Sequence, residues 1–206
     1  MTDLENCASG KNATKIEIKQ IRKITDRRFL NLYEMQYADK TGRVRNWVYA
    51  SRQDPPKAET GAFDTIDAVI IVAYHEQQGA LVLIREFRMP LADFQYGFPA
   101  GLVDAGESID SCARRELAEE TGLTVTDVIR VTPPIYSTSG LTDESIAMAY
   151  VHCTGEPSAA NTGSAEDIET LFVSPESAGQ LCAQSSQKFD VKTWLVMSHF
   201  AETGHI

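Results

Sequence analysis

Hydrophobic and polar positions alternate in part over the first fifty residues, as is typical of strands with one buried face. The alternation covers residues 15–24, 28–39 and 43–51, with a turn signal at Lys40 to Gly42. These segments predict a small antiparallel sheet. A proline-containing stretch, "RQDPPKAETGAF", indicates a boundary near residues 53–63. We therefore expect an N-terminal β subdomain over residues 1–55 and a larger domain over residues 56–206.

The larger domain begins with two strongly apolar runs, "TIDAVIIVAY" and "ALVLIREFR", which predict two strands joined across "HEQQG". Hydrophobic patterns typical of helices and of strands then follow one another. They predict helices near 108–121, 174–184 and 190–202, and strands near 125–136 and 145–154. Strands interrupted by helices in this way favour an α+β or mixed layered fold over a regular parallel, doubly wound one.

Composition narrows the possible partners. The 206 residues are 43% hydrophobic, enough for one core with an added subdomain, and their formal net charge is -10. Such a charge opposes binding to nucleic acid or to an anionic membrane, so an anionic substrate would need local help, such as a metal ion. No apolar run approaches a membrane span and the N-terminus lacks a signal-peptide core, which predicts a cytoplasmic protein. The four cysteines are far apart in sequence and predict reduced, mostly buried thiols: Cys7, Cys112, Cys153 and Cys182.

The predicted helix at 108–121 concentrates negative charge on one face. Ser108 is a candidate N-cap and Gly122 a candidate C′ glycine. Glu116, Glu119 and Glu120 then share a face near the negative end of the helix dipole, where they repel each other. An acidic face is usually just solvated. Clustered carboxylates are also good ligands for Mg²⁺, however, and Arg115, four residues before Glu119, relieves only part of the repulsion. The residues Ile109, Ala113 and Leu117 form an apolar seam that can anchor the helix on a sheet.

The segment "GLVDAGESIDSCARRELAEETGL", residues 101–123, resembles the Nudix box of the Nudix hydrolases. The resemblance covers every defining position: Gly101, Glu107, Arg115, Glu116, Leu117, Glu119, Glu120, Gly122 and Leu123. It implies a Nudix α/β/α sandwich with a mixed sheet. It also implies hydrolysis of a diphosphate linked to another group, with Mg²⁺ or Mn²⁺ as cofactor.

The resemblance further implies roles for individual residues. Glu116 and Glu120 would be the central metal ligands, and Glu119 and Glu107 would share ions or hold waters. Arg115 would orient the carboxylates. The carbonyl of Ala100 would be a further ligand, and Gly101 would allow close approach of the backbone.

Sequence on either side of the box resembles ADP-ribose pyrophosphatases and other nucleoside diphosphate sugar hydrolases. The lead-in "IREFRMPLADFQYGFPAGLVDAGE" makes Arg88, and secondarily Arg85, candidates for gripping a phosphate, the alternative being surface salt bridges. Further on, "YSTSGLTDE" resembles the subgroup's "SPGxSDE" segment and retains Gly140, but Ser139 stands where that pattern has proline. Tyr136 is a candidate for stacking on a base or ribose, although aromatic residues at such places are more often core or interface residues.

Two further expectations follow from the subgroup resemblance. The acidic stretch "NTGSAEDIETLFVS" offers Glu166 as the catalytic base, the alternative being an exposed loop acid, and it precedes a late strand. The N-terminal sheet is suited to forming a homodimer, and Trp47 and Tyr49 could present an aromatic face to a partner or to the base of the substrate.

The leading hypothesis is an enzyme that cleaves ADP-ribose to AMP and ribose 5-phosphate. The alternatives are a pyrophosphatase for GDP-mannose or another nucleoside diphosphate sugar, and a non-catalytic Nudix nucleotide sensor. Sensors commonly lose box carboxylates, whereas this chain keeps all four.

Overall fold

The computed structural model describes residues 15–158 and 167–206, which belong to two compact units. One unit extends to Ala62 and also includes Thr138–Glu144. The second comprises Phe63–Ser137 and Ser145–Ile206. The division of the chain into one domain over residues 1–55 and another over residues 56–206 stays a prediction.

The first unit contains the three-stranded antiparallel sheet that the sequence predicts. Its strands are β1 (Glu17–Lys23), β2 (Asn31–Ala38) and β3 (Val44–Ser51), in that order across the sheet, followed by the one-turn helix α1 (Lys57–Thr60). Between β2 and β3 the carboxylate of Asp39 accepts hydrogen bonds from the N–H groups of Thr41 (2.8 Å) and Arg43 (3.1 Å). These bonds close the turn that joins the two strands.

The segment Thr138–Glu144 is bound to the first unit although it lies far along the chain. The N–H of Ala50 donates to the carbonyl of Leu141 at 2.8 Å. The carboxylate oxygen Oδ2 of Asp143 accepts from the Ser51 hydroxyl at 3.0 Å and from the Lys57 N–H at 2.9 Å. Ser51 and Lys57 are fully buried, so these two bonds tie the segment to the interior residues of the unit.

The second unit is built on one mixed sheet. Its elements are β4 (Ala68–His75), β5 (Ala80–Arg88), a 3₁₀ turn (Met89–Leu91), β6 (Asp93–Gly97), β7 (Ala100–Leu102), α2 (Ile109–Thr121), β8 (Thr124–Val131), β9 (Ile135–Tyr136), β10 (Ser145–Thr154), β11 (Ile168–Val173), α3 (Pro175–Cys182) and α4 (Val191–Thr203). The main order is β11-β5-β4-β10-β8, with β6 beside β5, β7 beside β4 and β9 beside β10. β4 and β10 are parallel and the other pairs are antiparallel.

Helices cover both faces of this sheet, as the apolar run of β4 requires. Val69 and Ile71 belong to a core cluster shared with α2, whereas Val72 belongs to a second cluster shared with α3 and α4. Neighbouring β4 residues therefore pack into opposite cores. The expected layered α+β fold with a mixed sheet is confirmed.

Some local predictions need correction. The single strand predicted over 125–136 is wrong, because Pro133 and Pro134 lack the N–H that a continuous ladder needs and the chain forms β8 and β9 instead. The short strands β6 and β7 were not predicted. Among the described cysteines all three are free thiols, with Cys112 and Cys153 buried, as expected, and Cys182 half-buried. Cys7 lies outside the described residues.

Candidate active site

Helix α2 has the ends and the buried seam that the sequence predicts. The Ser108 hydroxyl accepts from the N–H of Ser111 at 3.1 Å, and Gly122 takes the left-handed conformation (φ 76°) at the C-terminus. Ala113 and Leu117 are fully buried against the sheet, with Ile109 packed beside them. With this side buried, Glu116 and Glu120 lie against strand β7.

Strand β7 brings the backbone close to the acidic face of α2. A Cβ atom on Gly101 would lie 1.8 Å from both Cδ and Oε1 of Glu116 and 2.3 Å from its Oε2. Only glycine therefore leaves room for this carboxylate. One residue earlier, the N–H of Ala100 donates to Oε2 of Glu120 at 3.0 Å. Two glutamates of one helix thus contact two successive residues of β7.

Arg115 connects the loop, the helix and β7. Its guanidinium makes a bidentate pair of hydrogen bonds with the Glu107 carboxylate, from Nε at 3.0 Å and from Nη2 at 2.8 Å. Nη1 donates to Glu116 at 2.6 Å and to Glu119 at 3.3 Å, and Nη2 also donates to the carbonyl of Leu102 at 3.1 Å. The expected relief of Glu119 is confirmed, but the contacts with Glu107 and Glu116 are shorter.

The environment moves the pKa values of two box carboxyls in opposite directions. Hydrogen bonds from Arg115 lower the pKa of Glu107 to about 2, so this side chain is a carboxylate throughout the neutral range. Burial raises the pKa of Glu116, and the neighbouring Arg115 guanidinium opposes that rise only in part. A cation close to Glu116 would favour its charged form.

The chemistry of these donors fits a hard divalent cation. Four carboxylates lie on one loop–helix segment, and Mg²⁺ and Mn²⁺ prefer such oxygen ligands. Throughout residues 15–158 and 167–206, no three His, Cys, Asp or Glu side chains stand grouped closely enough to hold an ion. The glutamates contact Arg115 and the Ala100 N–H instead. The space that Gly101 leaves at Glu116 is the structural feature that favours a site at this point.

The two predicted phosphate-binding arginines lie on β5 and contact acidic side chains. Nη1 of Arg88 lies 2.9 Å from Oε1 of Glu86. Nη1 of Arg85 lies 3.5 Å from Oε2 of Glu169, and its guanidinium carbon lies 3.8 Å from the centre of the Phe94 ring. Both arginines thus form the salt bridges that the alternative interpretation expected, and phosphate binding by either one stays a prediction.

Three other residues are predicted to act on the substrate or on the attacking water, namely Tyr136, Gly140 and Glu166. Tyr136 is 43% exposed and its hydroxyl donates to the carbonyl of Phe63 at 3.3 Å. Gly140 belongs to the first unit, where its carbonyl accepts from the Trp47 indole N–H at 3.2 Å. Glu166 lies outside the described residues. The roles proposed for these three residues stay predictions.

Sequence reasoning missed Asp67, which precedes β4 and fixes the end of β7. Its carboxylate accepts from the N–H of Ser145 at 2.8 Å, and its carbonyl accepts from the N–H of Val103 at 3.0 Å. Ser145 and Asp67 are 78 residues apart. No local sequence signal marks such a contact, since it depends on the parallel pairing of β4 with β10.

Comparison with known proteins identifies relatives over most of the chain. Residues 64–195 match the family described as "NUDIX domain". The ADP-ribose pyrophosphatase of Saccharomyces cerevisiae is 31% identical over 141 residues, which is 68% of this chain and 59% of that protein. Putative nudix hydrolase 2 of Caenorhabditis elegans is 33% identical over 153 residues, 71% of this chain and 66% of that protein. The chain thus spans less than two thirds of the length of these relatives.

A solved structure agrees with the fold. The crystal structure of an ADP compounds hydrolase superposes with a TM-score of 0.67, covering 96% of this chain and 100% of that chain at 20% identity. At that identity the match shows a shared fold.

Proposed function

Because this chain belongs to the NUDIX domain family, we propose that it hydrolyses the diphosphate bond of a nucleoside diphosphate sugar. The first candidate substrate is ADP-ribose, with AMP and ribose 5-phosphate as products. The observation that carries this proposal is the position of Glu116, whose carboxylate occupies the space left by Gly101 and accepts a hydrogen bond from Arg115, which also binds Glu107 and Glu119. The family resemblance inferred from the box is confirmed, and the name of the yeast relative favours ADP-ribose.

In this proposal Mg²⁺ or Mn²⁺ is held by the box carboxylates and the carbonyl of Ala100. The metal-binding carboxylates would be Glu107, Glu116, Glu119 and Glu120. When bound, the cation supplies positive charge to the diphosphate and lowers the pKa of a water molecule. Arg115 holds the carboxylates in register through its hydrogen bonds to Glu107 and Glu116.

The remaining residues act on the substrate. Arg88, and secondarily Arg85, bind phosphate oxygens by exchanging their present carboxylate partners for the more highly charged diphosphate. Glu166 accepts the proton of the attacking water. Tyr136 and Gly140 contact the nucleoside or the sugar. The net charge of -10 makes these arginines and the metal the main attraction for an anion.

We further propose that the chain forms a homodimer through its N-terminal sheet. Trp47 is 50% exposed, but Tyr49 is buried and stacks on Tyr33 with ring centres 5.9 Å apart. Trp47 therefore contributes to the proposed aromatic surface while Tyr49 does not. On the same face, Ile18 is 53% exposed, and burying such side chains favours association. A single 22.7 kDa species at micromolar concentration would contradict the dimer.

The described helices include none long and apolar enough to cross a bilayer. A cytoplasmic location and the lack of nucleic-acid and membrane partners stay predictions. The predicted lack of nucleic-acid and membrane partners rests on the acidic composition of the chain.

The proposal is tested by incubating the purified chain and its Glu120→Gln variant with Mg²⁺ or Mn²⁺ and a panel of substrates. The panel contains ADP-ribose, GDP-mannose, NADH, diadenosine polyphosphates and nucleoside triphosphates, and products are identified by mass spectrometry. We expect metal-dependent AMP and ribose 5-phosphate from ADP-ribose, at a rate that the variant reduces. Running the reaction in ¹⁸O-labelled water shows which product receives the oxygen and hence which phosphorus is attacked.

Other outcomes of the same panel favour the alternatives. Preferential cleavage of GDP-mannose would move the assignment to that substrate. Saturable nucleotide binding with no cleavage of any compound would favour a sensor and contradict the enzyme.

A further inference from the structure

The chain changes its strand partner immediately before the candidate metal site. β6 pairs with β5, whereas β7 pairs with β4, and only Phe98 and Pro99 lie between these two strands. Since a proline has no N–H, Phe98 has the only N–H donor within this crossover. Strand pairing fixes the residues on either side of the crossover, with Gly97 opposite Ile84 and Ala100 opposite Ile70, but it leaves the Phe98 N–H to find a partner elsewhere.

Thr193, from helix α4, supplies the missing partner. The N–H of Phe98 donates to its hydroxyl oxygen Oγ1 at 3.1 Å. Thr193 is fully buried and Phe98 is 3% exposed, so water does not compete for this bond. On the other side of the crossover, the carbonyl of Pro99 accepts from the N–H of Ile71 at 2.8 Å. The crossover is thus held from α4 and from β4.

The position of Thr193 is itself fixed by the start of α4. Asp190 caps this helix by accepting from the N–H groups of Lys192 (2.9 Å) and Thr193 (3.4 Å). The backbone N–H of Asp190 in turn donates to the carbonyl of Tyr96 in β6 at 3.0 Å. The helix start, the crossover and β6 therefore form one connected set of hydrogen bonds.

We propose that Thr193 is a positioning residue that sets the β6–β7 crossover and thereby the placement of Ala100 and Gly101 against Glu120 and Glu116. This inference rests on the proposed function, in which those four residues form the metal site. Ala100 follows Phe98 by two residues, and its N–H already contacts Glu120. A shift of the crossover would move this contact, and displacements of about 1 Å can cost a site about 10²-fold in rate.

Three variants separate positioning from simple stabilisation. Thr193→Val keeps the shape of the side chain but leaves the Phe98 N–H without a partner. Thr193→Ser retains the hydroxyl. Thr203→Val makes the same chemical change at an exposed position of α4, where the hydroxyl donates to the carbonyl of His199. The dissociation constant for Mn²⁺ alone is measured by calorimetry at a temperature where every variant is folded.

We expect Thr193→Val to weaken Mn²⁺ binding by at least about fivefold, the lower range for one lost buried hydrogen bond. Thr193→Ser is expected to stay within about twofold of the parent chain, and Thr203→Val to be unchanged. Thr193→Val should also raise the Mn²⁺ concentration needed for half-maximal turnover while leaving the KM for ADP-ribose unchanged. Unaltered Mn²⁺ affinity in a destabilised Thr193→Val protein would overturn the proposal.

If Thr193→Val does not fold, hydrogen exchange in the parent chain tests the positioning role of Thr193 instead. The amides of Phe98 and Ala100 should be protected, and saturating Mn²⁺ should slow both. Exchange of the Phe98 amide that Mn²⁺ leaves unchanged would overturn the positioning role. If the parent chain binds Mn²⁺ as described but cleaves no member of the panel, the proposed function fails alone. A parent chain that takes up no Mn²⁺ contradicts both.

Discussion

Replacing Gly101 with alanine tests the geometry of the candidate site with a single methyl group. The added Cβ would lie 1.8 Å from the Glu116 carboxylate, whereas ordinary van der Waals contact begins at 3.4 Å. The carboxylate would therefore have to withdraw by about 1.6 Å, the difference between these two distances. Because the obstructing atoms are the end of a flexible side chain, the fold can accommodate the change.

The expected result is a loss of activity without a loss of stability. Displacement by more than about 1 Å is expected to lower kcat for ADP-ribose by at least about 10²-fold. The free energy of unfolding should change by less than about 1 kcal/mol, because alanine in a strand limits the freedom of the unfolded chain. Gly97→Ala in β6 is a matched control, since its Cβ would lie 4.0 Å from the nearest neighbouring atom, Cγ1 of Ile84.

A double-mutant cycle tests whether displacement of the Glu116 carboxylate causes the loss of kcat in Gly101→Ala. If Gly101→Ala acts by displacing the Glu116 carboxylate, it should have little further effect on kcat in a Glu116→Ala background. Initial rates of ADP-ribose cleavage and urea unfolding curves are needed for all four proteins. Equal fractional losses of kcat in both backgrounds would show that Gly101→Ala does not act through Glu116.

Three further predictions concern other parts of the chain. Glu120→Gln should lower kcat by at least about 10²-fold in the same rate assay, because a proposed metal ligand loses its charge. The amide oxygen can still accept from the Ala100 N–H, so the fold should be retained. Unchanged turnover would place the site elsewhere. Asp143→Ala should cost about 1–3 kcal/mol in urea unfolding, whereas Asp143→Asn retains one oxygen able to accept from both Ser51 and Lys57; equal losses would contradict this anchoring role. Hydrogen bonds from the hydroxyl and N–H of Thr41 lower the pKa of Asp39 to about 2 from 3.8, so its stabilising contribution is present above about pH 4 and is lost as the pH falls toward 2. The stability difference between the parent chain and Asp39→Ala should therefore shrink over that range of pH, and a constant difference would show that Asp39 acts by other means.

Elements whose causes are local could be predicted from the sequence. Helix α2 is an example, because a capping serine, an apolar seam and a terminal glycine all lie within 15 residues of one another. The three N-terminal strands are another, since alternation and a turn signal specify them. The box itself defines four acidic side chains and their arginine by spacing alone.

The contacts that were missed join residues far apart in sequence. Phe98 and Thr193 are 95 residues apart, and Asp143 contacts Ser51 from 92 residues away. Neither contact follows from a periodic pattern, because each depends on which strands and helices become neighbours. The clash that explains Gly101 also appears only when β7 lies against α2. The sequence alone showed that a glycine was present but gave no measure of the space it leaves.

Whether the box carboxylates hold a divalent cation can be measured by an electron paramagnetic resonance titration with Mn²⁺, because the signal of free Mn²⁺ falls as the ion binds. We expect the parent chain to take up Mn²⁺ and the folded double variant Glu116→Gln/Glu120→Gln to take up far less. Equal uptake by both proteins, or none by the parent chain, would contradict the account.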